Sequence, residues 1–78
     1  MATYTITLQQ IDGPIVKAAR RHRIDGAIFA AHAMLYDFCE GRGMRDSRAA
    51  WNVLRKLYAT NYSASAEIAG HRIAIIRH

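Results

Sequence analysis

Residues Thr3 to Leu8 alternate strictly, with Tyr4, Ile6 and Leu8 on one side and Thr3, Thr5 and Thr7 on the other. A period of two over this stretch reads as a half-buried strand. One strand cannot stand alone, because its backbone donors and acceptors need neighbours. The clearest further strand signals lie at the other end, Ser65–Ala69 and Arg72–Arg77 around Gly70-His71, where a glycine-first two-residue turn fits a hairpin. Ile73 and Ile75 share one face of the last strand and Ile76 falls on the other. The N-terminal strand is therefore expected to join the C-terminal hairpin.

The intervening residues read as helical. Asp12-Gly13-Pro14 offers a capping aspartate and a proline suited to a first turn, so a helix is expected to about His22, with Ile15, Ala18, Ala19 and His22 inward. Arg23-Ile24-Asp25-Gly26 breaks the pattern, and Asp25 reads as the next cap. A second helix runs from about Gly26 to Glu40, with Ile28, His32, Leu35, Tyr36 and Cys39 as its inward stripe. Gly41-Arg42-Gly43 ends it. Asp46 or Ser47 caps a third helix to about Ala59, closed by Asn61, whose apolar face is Ala50, Trp51, Leu54, Leu57 and Tyr58. The expected fold is one α+β domain spanning residues 1–78. Its order is β-α-α-α-β-β, with a three-stranded antiparallel sheet covered on one face by about three helices.

A domain of this size buries only about 60–65% of its unfolded surface, which leaves a thin stability margin. Its 51% hydrophobic content still suffices for a core and argues against disorder. Cys39 is the single cysteine, so no internal disulfide can staple the fold, and a reducing cytoplasm is the expected setting. The first ten residues lack the basic and apolar regions of a signal peptide, and the apolar run Gly26–Leu35 is too short to span a bilayer.

Signals for catalysis are sparse. The chain has no glycine-rich phosphate loop and no metalloprotease helix motif. Asp37 and Glu40 stand three apart and could form a carboxylate pair, but that spacing is ordinary on a solvated helix edge. His22, His32 and Cys39 lack the tight local pairs of a structural zinc site, so no metal or other cofactor is expected. His32 reads instead as a core histidine bonded through one ring nitrogen.

Charge is more informative. The formal net charge is +5, and of eleven basic residues only Lys17 and Lys56 are lysine. Arginine forks suit phosphates and carboxylates, although a GC-rich genome gives the same bias. Arg45, Arg48, Asn52, Arg55 and Lys56 fall opposite the apolar face of the third helix, and Lys17, Arg20 and Arg21 opposite that of the first. Solvated helix faces are usually charged, but they mix signs, and these two nearly lack acids. Between Gly26 and Glu40 there is no lysine or arginine. The outward arc of that helix, Ala30, Ala33, Met34 and Asp37 with Phe38 nearby, fits either burial within the domain or a partner or homodimer interface.

Two binding functions fit these features. Short helices before a C-terminal hairpin resemble a winged-helix DNA-binding regulator. Against it, the second helix of the pair carries no Arg, Lys, Asn or Gln, and a third helix intervenes before the hairpin. From MATYTITLQQIDGPIV to AEIAGHRIAIIRH, the chain as a whole resembles the small phage-type anti-CRISPR proteins of the type I inhibitors, those against type I-C among them. That resemblance implies a non-enzymatic inhibitor in the host bacterial cytoplasm, which binds a CRISPR surveillance complex and blocks recognition of target DNA. Many such inhibitors are acidic mimics of DNA, whereas this chain is basic. It would instead dock on an acidic subunit patch or contact bound nucleic acid through its arginines.

Overall fold

The computed structural model describes residues 2–44, 47–59 and 63–78. Among these residues the order is β1 (Tyr4–Gln10), β2 (Ile15–Arg21), α1 (Ile24–Glu40), α2 (Arg48–Tyr58), β3 (Ala64–Ile68) and β4 (His71–Arg77). The fold is α+β with a four-stranded antiparallel sheet, ordered β2-β1-β4-β3, and two helices.

The alternation in β1 does what its period dictates: Tyr4, Ile6 and Leu8 are buried, while Thr5 and Thr7 lie on the opposite face. As expected, β1 pairs with β4 of the C-terminal hairpin, setting Ile6 opposite Ile75 and Leu8 opposite Ile73. All four side chains are almost fully buried between the sheet and the helices. Burying each contributes about 1.5–3 kcal/mol relative to exposure.

The expected three-stranded, three-helix order is overturned at residues 15–21, which form a strand and not a helix. Asp12 does not cap anything. Its φ of 60° places it in the left-handed region of a turn. The Gly13 amide donates to the Gln10 carbonyl (3.0 Å), and the Gln10 amide donates to the Pro14 carbonyl (3.1 Å), which closes a hairpin. An Asp-Gly pair after an alternating strand is a hairpin signal, and here it prevails over the helical spacing of Ala18 and Ala19. Pairing with β2 satisfies the side of β1 that β4 leaves open. A register shift between Leu8 and Gln9 marks a bulge, so the clean alternation that would have exposed this strand in the sequence is broken.

Helix α1 is also rotated from its expected setting. Ala27, Ala30, Ala31, Met34, Leu35, Phe38 and Cys39 are buried, whereas Ile28, His32 and Tyr36 are half-exposed. Of the arc read as either buried within the domain or a partner or homodimer face, Ala30, Met34 and Phe38 belong to the domain's own core, and Ala33 is exposed. The apolar band is wide enough for either setting. The one adopted keeps the polar tips of His32 and Tyr36 near water. Asp25 is not the cap either: Arg23 holds that position with no side-chain bond.

Helix α2 begins as expected at Ser47, whose Oγ accepts from the Ala50 amide (3.2 Å). Arg45, Asp46 and Asn61 lie outside the described residues. Ala50, Val53 and Leu57 are buried, and the helix lies against β3. The β3–β4 turn is Ala69-Gly70, one residue earlier than the spacing suggested. Both residues have positive φ (47° and 74°), as a type I′ turn requires. No helix among the described residues is long and apolar enough to cross a membrane.

Candidate binding face on helix α2

Because α2 buries Ala50, Val53 and Leu57, the opposite arc faces water. Arg48, Trp51, Asn52 and Arg55 occupy it at spacings of three, four and seven residues and line an open depression of about 510 Å³. Trp51 is 61% exposed, a large apolar ring left in solvent between two arginines. Lys56 stands exposed beside them, and the helix carries no acidic residue. Among the described residues Arg48, Arg55 and Lys56 make no ion pair. The ion pairs seen join Lys17 to Asp37 (3.6 Å), Arg23 to Asp25 (3.3 Å) and Arg72 to Glu67 (3.0 Å).

One side-chain bond joins this side of α2 to α1. His32 Nδ1 and the Tyr58 hydroxyl share a hydrogen bond of 2.9 Å, and the two rings meet edge to face. Tyr58 follows Trp51 by seven residues, on the same side of α2, and its ring is likewise exposed.

The basic residues read from the sequence do not form one surface. Arg48, Asn52, Arg55 and Lys56 share the outer side of α2, over the β3 edge. Lys17, Arg20 and Arg21 sit on β2, at the opposite edge of the sheet. Lys17 forms an exposed ion pair with Asp37. Trp51 is the residue that sequence reasoning missed. Taking Trp51 and Tyr58 as buried displaced the apolar face sideways, whereas Ala50, Val53 and Leu57 alone centre it and leave Trp51 about 130° away.

Among the described residues no group of three or more His, Cys, Asp or Glu is placed to hold a metal ion. Cys39 is buried, and burial pushes its thiol pKa up against a weaker opposing pull from Arg42. A thiol so placed is a poor nucleophile. The depression itself is lined by two arginine forks, an indole and a carboxamide. These recognise anions and flat or apolar surfaces.

No protein-family model matches the chain, and no curated protein or solved structure matches it.

Proposed function

We propose that this is a non-enzymatic binding protein that docks through the outer arc of α2 onto an acidic surface of a larger assembly. The observation that carries the reading is the exposed Trp51 standing between Arg48 and Arg55, neither of which has a carboxylate partner among the described residues. Tryptophan and arginine are the residue types most enriched at binding hot spots, because each combines a large apolar area with directed polar groups. Leaving Trp51 in water forgoes burial that a partner surface restores. The winged-helix alternative is less well supported, since the first helix of its helix pair is the strand β2.

The resemblance to type I anti-CRISPR proteins supplies the specific form of this reading, an inhibitor that docks on a surveillance complex and blocks target DNA. The test is the double reversal Arg48→Glu with Arg55→Glu, checked for folding by circular dichroism. It is then assayed for protection of a targeted plasmid in cells with an active type I system. Protection by the native chain and its loss in the folded variant support the reading. A folded variant that protects as well as the native chain removes α2 from the mechanism.

A further inference from the structure

We propose that strand β2 is a second docking edge, which takes up an extended acidic peptide as an additional strand beside Ile15–Arg21. The sheet has two edges, and they differ. On the β3 side, α2 lies against the strand, and Ala66 and Ile68 are buried. On the β2 side only Ala19 is half-buried and every other residue is exposed, Ile15 at 55% and Val16 at 49% among them. Among the described residues β2 pairs with β1 alone, so its far side presents a row of backbone donors and acceptors without a strand.

Charge selects the occupant. From Ile15 to Arg23 there are four Lys or Arg residues and no carboxylate. Lys17 and Arg23 are paired to Asp37 and Asp25, whereas Arg20 and Arg21 make no ion pair among the described residues. Their registers set Arg20 opposite Thr5, on the sheet face away from the helices, and Arg21 opposite Tyr4, on the helix side. A second copy of β2 laid along this edge would bring cations against cations, which destabilises cross-strand pairs. An acidic strand meets the opposite sign on both faces.

Shape adds a preference within that class. On the helix side, Arg21, His22, Arg23, Asp25, Gly26 and Phe29 line an open groove of about 610 Å³, with Phe29 74% exposed. A strand whose apolar side chains turn toward Phe29 sends its alternate side chains toward Arg20, so alternating apolar and acidic residues fit both sides. A single-stranded nucleic acid would satisfy the arginines but not the backbone row. The face it would stack on presents Thr5, Thr7 and Ala18, with the small His78 ring bonded to Thr5 Oγ1 (2.8 Å) and no Trp, Tyr or Phe among the described strand residues that share it.

The test uses isotope-labelled native protein and a blocked alternating Val-Glu peptide about the length of β2. Its controls are the same peptide with alternate amides N-methylated, and an oligothymidylate strand of similar length. Strand addition predicts chemical-shift changes centred on residues 15–21 and slowed amide exchange there. It also predicts binding at least about tenfold weaker for the N-methylated peptide and for the variant Arg20→Glu with Arg21→Glu. If that variant does not fold, the two peptides on native protein decide the matter. Absence of peptide binding, equal binding of the N-methylated peptide, shifts centred on α2, or tighter occupation of β2 by the oligothymidylate would each overturn the proposal.

Discussion

The Tyr58 hydroxyl lies 2.9 Å from His32 Nδ1, and this bond joins the last turn of α2 to the middle of α1. It is exposed, so water competes for both groups and its net worth is small. Tyr58→Phe keeps the ring and deletes the bond. The expected loss is about 0.5–1 kcal/mol in urea unfolding, with an unchanged denaturant slope. A loss above about 2 kcal/mol would show instead that the seam between the helices is part of the cooperative core.

Ala69 is an alanine in a left-handed conformation, with φ of 47° at the first central position of the β3–β4 turn. The Cβ there crowds the following carbonyl, whereas asparagine and glycine tolerate this region. Ala69→Asn is expected to raise stability by about 0.5–1 kcal/mol, seen as a higher Tm. Gly70→Ala, at φ of 74°, is expected to lower it by about 1–2 kcal/mol. If both substitutions are neutral, the turn does not hold the type I′ geometry.

These turns also show where the sequence was legible. Strand β1 was readable because one face is core and the other is not, so Tyr4, Ile6 and Leu8 stand out against three threonines. Ile73 and Ile75 were readable for the same reason, and Ser47 because capping chemistry is local. Strand β2 was not, because an edge strand exposed on both faces has no burial pattern to imprint, and its bulge breaks the period. The face of α1 was ambiguous because alanine, histidine and tyrosine fit both core and boundary. Contact with β1, α2, β2 and β4 decides between the two settings. The arginines of α2 were placed correctly as outward, but Trp51 was not, since hydrophobicity alone assigns an indole to the core.

Cys39 gives a prediction in pH. Burial raises its thiol above the ordinary value of 9.0, so the native chain holds the proton longer than the unfolded chain does. This contribution to stability is fully present below the unfolded thiol pKa. It declines once pH rises past 9.0, where the unfolded chain has lost a proton that the native chain still binds, and it is lost as pH rises through the native value. Unfolding free energy measured across that range should fall more steeply for the native chain than for Cys39→Ala. Thiol alkylation at neutral pH should be slow until denaturant is added. Parallel pH profiles for the two proteins would show that Cys39 does not titrate differently on folding.

Trp51 and its flanking arginines are expected to fail in different ways. Trp51 is 61% exposed in the free protein, so Trp51→Ala removes little that the fold depends on and should change stability by only about half a kcal/mol. If the α2 arc is the docking surface, the same substitution removes a central apolar anchor. The partner complex should then weaken by about 2 kcal/mol or more, mainly through faster dissociation. Arg48→Glu with Arg55→Glu acts on the encounter instead. Each reversal replaces attraction to an acidic surface by repulsion, so association should slow and its dependence on salt should flatten or invert. Surface-captured partner and stopped-flow association at several salt concentrations separate the two effects. Trp51→Ala should leave the salt slope of association near the native value, and the double reversal should not. A double reversal that preserves the native salt slope would place the charge-guided contact elsewhere, and a Trp51→Ala variant that binds at native strength would leave the exposed indole without a role in docking.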